Sequence, residues 1–180
     1  LHGPCVSYDT ACSAALAAGH AGLRALQLSE CGAGLVVGVT LMLAPGISMS
    51  FAVAGMTSAR GRSHTFDERA DGYARGEACV AVALLPVSPD ADSQGEWAGV
   101  GGCAVRCDGR SASLTAPNGR AQQGRLRAAL ADAATSADSL AAAEAHGTGT
   151  ALGDPIEVGS AVDATGRGRP WDLALCCGPV

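Results

Sequence analysis

A cysteine at the junction of two predicted elements is the first residue whose position suggests chemistry. Cys12 follows a predicted strand at residues 5–11 and lies at the start of a predicted helix at residues 13–29. The unpaired amides and the dipole of a helix N-terminus favour the thiolate, and the same amides could donate to an oxyanion on a bound acyl group. The pattern indicates a nucleophile elbow built with sulfur. Taken alone, it leaves open that Cys12 is one of eight small apolar cysteines.

A second group of residues suited to chemistry surrounds His146, in the block Glu-Ala-His-Gly-Thr-Gly-Thr that ends at Thr150. A predicted strand at residues 140–145 leads into this loop, whose glycines leave space for another molecule near the backbone. The imidazole could donate a hydrogen bond or exchange a proton, and the hydroxyls of Thr148 and Thr150 could bind an amide-bearing ligand. A phosphate-binding loop is the alternative, but the GxxxxGK[ST] pattern is missing and the sequence has no lysine.

The elements that must position these residues alternate between short apolar runs and helical patterns. Strands are predicted at residues 5–11, 35–41, 78–87, 97–105, 140–145 and 173–180, and helices at residues 13–29, 49–56, 121–135 and from Asp154 onward. In the last helix, Asp154 is predicted as the N-cap, with Pro155 and Glu157 at the first and third positions. The helix at residues 13–29 is apolar on nearly all sides, which predicts a buried helix. Strand and helix alternation on both sides of a polar linker at residues 90–96 favours an α/β layered fold.

Composition excludes several classes of function. The net charge is −5 and no basic stripe is present, which argues against nucleic-acid binding. No apolar run reaches the roughly 18 residues that a transmembrane segment needs. None of the eight cysteines forms a CxxC pair, so neither a metal site nor a disulfide framework is predicted, and a reducing, intracellular, cytoplasmic setting is expected. The first residue, Leu1, and an apolar last segment predict that both ends are cut from a larger protein.

Four blocks of the sequence resemble the ketosynthase domains of modular, type I polyketide synthases. They are Asp-Thr-Ala-Cys-Ser around Cys12, Phe-Asp followed by Ala-Asp-Gly-Tyr-Ala-Arg-Gly-Glu, Asp-Gly-Arg-Ser with Leu-Thr-Ala-Pro-Asn, and the His146 block continued by Gly-Asp-Pro-Ile-Glu. The blocks follow the family's order over nearly the whole chain. The resemblance implies an α/β, thiolase-like layered fold (αβαβα) that is only partly present. Residues 1–89 would end its N-terminal half, residues 90–96 would be a linker, and residues 97–180 would begin its C-terminal half.

The resemblance also implies a β-ketoacyl synthase, which is an acyltransferase. Cys12 would accept an acyl chain from the phosphopantetheine arm of an acyl carrier protein, and a malonyl-type extender would then lose carbon dioxide and condense with it. His146 would be the first of two catalytic histidines, and Thr148 and Thr150 would contact the pantetheine arm. The product would be a growing polyketide or fatty-acid chain. Neither a bound cofactor nor a metal is expected.

The partners that the resemblance implies are an acyl carrier protein, the neighbouring synthase domains, and a second copy of the chain. The two copies would meet through a strand at residues 3–10. The family's second catalytic histidine would follow Val180, so the 180-residue chain alone is expected to be inactive. Arg106 and Cys107 stand where the family usually has Asn-Gln. Two alternatives remain: a non-catalytic scaffold derived from a ketosynthase, and a hydrolase that uses Cys12 and His146.

Overall fold

The computed structural model describes residues 2–87, 98–113 and 116–166. Its helices are α1 (Ala14–Gln27), α2 (Pro45–Val53), α3 (Gly119–Asp132) and α4 (Gly153–Thr165), and its strands are β1 (Gly34–Thr40) and β2 (Ala78–Leu84). Short 3-10 turns precede α1 at Ala11–Ser13 and follow α3 at Ala137–Ser139. The predicted linker at residues 90–96 and the predicted strand at residues 173–180 lie outside the described residues.

β1 and β2 form the one sheet found in the described ranges, an antiparallel pair that starts with Gly34 opposite Leu84. Helix α1 packs against β1. The contact depends on small residues, because a Cβ at Gly22 would lie 3.2 Å from both the Val36 and the Leu84 side chains. The helix that follows Cys12 is therefore held close to the sheet.

The other face of the sheet is apolar and exposed. Side chains alternate between the two faces of a strand, so Leu35, Val37 and Val39 share the face opposite Val36. Their exposed fractions are 62%, 49% and 60%. The predicted burial of α1 is also wrong, since only Ala17 and Ala25 of this helix are buried. Its packing against β1 covers one side, and the other side remains accessible among the described residues.

Helices α3 and α4 pack against each other and form the second group of elements. Asn118 is the N-cap of α3, and its side-chain oxygen accepts hydrogen bonds from the amides of Arg120 (3.1 Å) and Ala121 (3.2 Å). Its side-chain nitrogen donates to the carbonyl oxygens of Asp108 (2.9 Å) and Arg110 (3.1 Å). Asn118 therefore both starts the helix and joins it to the preceding loop.

The predicted elements are present in part. The helices predicted at residues 13–29 and 121–135 and the strands predicted at residues 35–41 and 78–87 are found with shifted ends. Helix α2 begins at Pro45 instead of residue 49, because proline suits the first helical position, where its missing N–H needs no partner.

Three predicted strands are not found. Residues 5–11 and 140–145 form no strand, and neither do residues 98–105, the described part of the strand predicted at residues 97–105. A strand requires a hydrogen-bonded neighbour, and within the described ranges β1 and β2 pair only with each other.

The start of α4 also differs from its prediction. The helix begins at Gly153 after an N-cap at Leu152, so Asp154 is the second helical residue and Pro155 the third. Glu157 is therefore the fifth residue instead of the third. The prediction failed because the Asp154 carboxylate turns away from its own helix and accepts hydrogen bonds from residues before it.

Candidate active site

Cys12 lies in the 3-10 turn directly before α1 and is exposed. The preceding residue, Ala11, has a φ of 53°, a left-handed conformation that residues with a side chain seldom adopt. Ser13 is fully buried, and its Oγ donates to the carbonyl oxygen of Thr10 (2.8 Å) and lies 2.9 Å from the Thr10 hydroxyl oxygen. The buried Ser13 therefore holds the turn in place, and Cys12 remains exposed. The cysteine lies just before a helix, as the sequence predicted.

The structure brings Cys12 and His146 together from distant parts of the chain. A hydrogen bond to His146 lowers the pKa of the Cys12 thiol, and the backbone amides of Cys12 and Ser13 lower it further, although burial opposes them. The same hydrogen bond raises the pKa of His146, as does the nearby carboxylate of Glu157, while burial and the Arg125 guanidinium oppose the shift. The two shifts together favour a thiolate beside an imidazolium, which is the reactive state of such a pair.

The backbone of His146 is held by a carboxylate of α4. Glu157 accepts a hydrogen bond from the His146 amide at Oε1 (2.6 Å) and another from the Gly147 amide at Oε2 (2.9 Å). On the opposite side, Thr65 Oγ1 donates to the carbonyl oxygen of Gly147 (2.7 Å). Gly147 has a φ of 56°, and a Cβ there would lie 2.6 Å from Thr65 Cγ2, so only glycine fits. The position of His146 therefore depends on contacts from two separate segments.

Asp154 is the second carboxylate that organises this loop, and only 4% of it is exposed. Its Oδ1 accepts hydrogen bonds from the amides of Gly149 (3.0 Å) and Thr150 (3.3 Å), and its Oδ2 accepts one from the amide of Phe66 (2.8 Å). Hydrogen bonds to a charged acceptor are stronger than neutral ones. This role was not predicted, because the sequence pattern around Asp154 is typical of a helix N-cap. A carboxylate directly after a glycine-rich loop was the available signal.

A loop that precedes β2 forms one wall of the site. Gly72 donates its amide to the carbonyl oxygen of Gly149 (2.9 Å), and Tyr73 forms an isolated bridge with Thr57. Gly72 has a φ of 126°, and a Cβ there would lie 2.6 Å from the carbonyl carbon of Thr57. The Asp-Gly-Tyr block therefore packs its backbone directly against the loop of His146.

Thr148 and Thr150, the predicted ligand-binding residues, lie within the loop of His146 and are half-buried. Their hydroxyl oxygens are 3.1 Å apart, and Thr150 Oγ1 also accepts a hydrogen bond from the Gly153 amide (3.0 Å). Thr150 thus has a structural role at the start of α4. The contact of both residues with a ligand stays a prediction.

Three further properties concern only the described residues. No group of three or more histidine, cysteine, aspartate or glutamate side chains there is arranged to hold a metal ion. None of the helices there has the length and apolar character that crossing a bilayer requires. The cysteines there have free thiols: Cys5, Cys12, Cys31, Cys79, Cys103 and Cys107.

Curated proteins similar to the chain are polyketide synthases. It is 45% identical over 182 residues to polyketide synthase GfsB of Streptomyces halstedii. It is also 45% identical over 182 residues to the spectinabilin polyketide synthase system protein NorB of Streptomyces orinoci. Both alignments cover 100% of this chain, but it spans only 3% and 8% of the two relatives.

Solved structures similar to the chain are ketosynthase domains. The oxazolomycin ketosynthase domain OzmH KS7 of Streptomyces albus superposes with a TM-score of 0.82 at 34% identity, over 91% of this chain and 28% of that one. The ketosynthase from module 6 of the bacillaene synthase of Bacillus subtilis gives 0.80 at 32% identity, over 88% and 29%. These matches show a thiolase-like fold of which the chain contains a part.

Two family models cover most of the sequence. Residues 1–89 match "Beta-ketoacyl synthase, N-terminal domain", and residues 97–176 match "Beta-ketoacyl synthase, C-terminal domain". Below, these ranges are called the N-terminal and C-terminal segments, so Cys12 and His146 come from different segments. The chain belongs to the β-ketoacyl synthase family, and its relatives are ketosynthases of polyketide synthases.

Proposed function

We propose that Cys12 and His146 belong to the active site of a β-ketoacyl synthase that extends polyketide chains. The interaction between the two side chains carries this proposal, because it places a proton carrier beside an exposed thiol. The lowered pKa of Cys12 and the raised pKa of His146 are the shifts that a nucleophile and its partner require.

The first half-reaction is an acyl transfer. The Cys12 thiolate attacks the carbonyl carbon of an acyl thioester carried on the phosphopantetheine of an acyl carrier protein. The Cys12 amide, which helps to lower the pKa of the thiol, donates to the developing oxyanion. As the new carbon–sulfur bond forms, the bond to the pantetheine sulfur breaks, and the His146 imidazolium supplies the proton that this leaving thiolate takes up. The enzyme is left as an acyl thioester on Cys12 with a neutral His146.

The second half-reaction is a decarboxylative condensation. A malonyl-type extender loses carbon dioxide, and the electron pair of the broken bond becomes an enolate whose carbon attacks the Cys12 thioester. His146, whose backbone Glu157 holds in place, donates a hydrogen bond to the thioester oxygen of the extender as negative charge develops there. The carbon–sulfur bond to Cys12 breaks and releases a β-ketoacyl chain that is two carbons longer.

The pantetheine arm and the partner proteins are part of the same proposal. Thr148 and Thr150 lie in the loop of His146 and would contact the arm through their hydroxyls. A second copy of the chain would pair along residues 3–10, where Val6 and Tyr8 are 62% and 39% exposed. The carrier protein and the neighbouring synthase domains would deliver the two thioesters.

An acylation experiment tests the proposal. It uses the full-length protein, meaning this chain together with the rest of the ketosynthase that its relatives have. After incubation with an acyl thioester, mass spectrometry of the peptides should find the acyl group on Cys12, and the Cys12→Ala variant should lose it. A folded protein that takes no label would contradict the mechanism and favour a scaffold. A label that disappears by hydrolysis without added extender would favour the hydrolase.

A further inference from the structure

One contact between the N-terminal and C-terminal segments lies away from the loop of His146, at the end of α1 that is remote from Cys12. Arg24, in the last turn of α1, donates from Nη2 to the carbonyl oxygen of Cys103 (2.8 Å) and forms an ion pair with Asp132 (2.8 Å). Asp132 in turn accepts a hydrogen bond from the Cys103 amide at Oδ2 (2.8 Å). The three residues form a closed ring: Arg24 binds the carbonyl oxygen of Cys103, Asp132 binds its amide, and the two charged side chains bind each other.

The position of Asp132 shows that its carboxylate serves this contact and not its own helix. Asp132 is the last residue of α3, where the helix dipole disfavours a negative charge. The pKa of Asp132 is nevertheless lowered, chiefly by the hydrogen bond from the Cys103 amide and by the one from Arg24. The hydrogen bonds from the Cys103 amide and from Arg24 together therefore outweigh the local cost of placing the charge there.

A second residue of α1 faces the same carboxylate. His20 lies one turn before Arg24 on the same side of the helix, and its proximity also lowers the pKa of Asp132. Its Nδ1 is buried and has no hydrogen-bond partner among the residues that the structure describes. The charged and titratable groups at this junction are thus Arg24 and His20 on α1, Asp132 on α3, and the thiol of Cys103.

Helix α1 is consequently tied to the C-terminal segment at both of its ends. At its start, Cys12 meets His146; at its end, Arg24 meets Asp132 and Cys103. The helix has 14 residues, which corresponds to a length of about 21 Å. Contacts near His146 alone would leave the far end of the helix able to change its angle against the C-terminal segment, whereas contacts at both ends restrain that angle.

We propose that Arg24 and Asp132 are positioning residues that set the angle of α1 against the C-terminal segment and so keep Cys12 within reach of His146. The inference rests on the proposed function, because it takes this pair to be the reacting site. Acyl transfer is sensitive to such an angle, since a displacement of about 1 Å can cost roughly a hundredfold in rate.

The test uses the full-length protein and follows the alkylation of Cys12 by iodoacetamide as a function of pH, with the modified peptide identified by mass spectrometry. In Arg24→Leu and Asp132→Leu, the midpoint should move to higher pH as Cys12 loses His146, and acyl transfer should slow about ten- to a hundredfold. The double variant should be little worse than either single one, because both remove the same contact. Asp132→Asn keeps an acceptor for the Cys103 amide and should retain part of the rate.

Arg69→Leu is a matched control. It removes an ion pair of similar length, Arg69 with Asp67 at 2.7 Å, that lies within one exposed loop and joins no segments. Its alkylation profile should equal that of the unaltered protein. If a leucine variant fails to fold, Arg24→Lys and Asp132→Asn should show the same shift at smaller size.

The outcomes separate the two proposals. An unaltered protein that takes no acyl label at Cys12 contradicts the proposed function. Normal labelling, together with unchanged alkylation profiles and rates in folded Arg24 and Asp132 variants, overturns the positioning role alone. A loss of thermal stability without any change in the pH profile would also overturn it, because a purely structural contact would give that result.

Discussion

The sheet and the loop of His146 place polar and apolar groups in opposite ways. On the sheet, Leu35 and Val39 are apolar and about 60% exposed, whereas Asp154, whose carboxylate binds amides of the loop, is only 4% exposed. The loop is ordered by hydrogen bonds that begin and end within the chain. The sheet instead presents an apolar face that the described residues leave uncovered. The hydrogen bonds that order the loop of His146 are therefore supplied by the chain itself. The apolar face of the sheet, in contrast, needs another surface to cover it before it can stabilise the fold.

The buried residues show the same division. The buried apolar residues among the described ones are all alanines, Ala17, Ala25, Ala143 and Ala161, which contribute little hydrophobic area. The buried polar residues are Ser13, Gln122, Arg125, Asp154 and Ser160. Polar contacts need specific partners, so they specify one arrangement even where they stabilise it only weakly.

The largest expected effect concerns the uncovered sheet. The 180-residue chain expressed alone should bind the dye ANS and unfold without a sharp transition, because Leu35, Val37 and Val39 are exposed on one face of the sheet. The full-length protein should bind little ANS. Differential scanning calorimetry checks the contrast, and a cooperative heat-absorption peak from the short chain would show that the exposed face needs no cover.

A smaller effect is expected from the loop of His146. Replacing Asp154 with alanine leaves the buried amide of Gly149 and the partly buried amides of Thr150 and Phe66 without their acceptor. A buried unsatisfied amide costs about 1–3 kcal/mol and a partly buried one costs less, so the free energy of unfolding of the full-length protein should fall by about 2–3 kcal/mol. Denaturant titration followed by tryptophan fluorescence measures the change.

Asp67→Ala provides the comparison within the neighbouring loop. Asp67 is also a hydrogen-bonded carboxylate, but it pairs with Arg69 at the surface, where such pairs contribute little. The unfolding midpoint of this variant should not move. Equal losses in the Asp67 and Asp154 variants would mean that burial of the carboxylate does not explain the order of the site.

The smallest effect is a shift in reactivity without a change of fold. Because His146 lowers the pKa of Cys12, alkylation of Cys12 should continue at a pH below the pKa of a free thiol and decline only as the thiolate is protonated. The raised pKa of His146 keeps the imidazole protonated to higher pH, which widens the range in which the pair exists. His146→Ala should move the alkylation midpoint upward. A midpoint that is the same in both proteins would break the link between the two residues.

Much of the candidate site could be predicted from the sequence because its signals are local. The helix after Cys12 and the glycine-rich loop around Thr150 are each formed by a short continuous stretch of sequence. Periodicity reveals the helix, and glycine content reveals the loop. The two blocks also belong to a family pattern that spans nearly the whole chain. The proximity of Cys12 and His146 followed from that pattern, not from either block alone.

The parts that could not be predicted depend on partners distant in sequence. Residues 140–145 have the composition of a strand, but they belong to no sheet among the described residues. Asp154 carries the signature of a helix cap, yet its carboxylate binds the amide of Phe66 from another segment. The ring of Arg24, Cys103 and Asp132 likewise has no local signature, since nothing near Arg24 indicates a contact with the peptide of Cys103.

The contacts that assemble the site join residues far apart in the sequence, which has a consequence for folding. Thr65 and Gly147 are 82 positions apart, and Phe66 and Asp154 are 88 apart. Contacts between residues so far apart in sequence form late in folding. Closing the long loop costs chain entropy before the contact contributes any stabilisation. During synthesis, Cys12 is therefore complete well before its partner histidine exists. The largest cause of the lowered pKa of Cys12 is therefore absent until the loop of His146 docks, so an unfinished or misfolded chain carries a less acidic thiol.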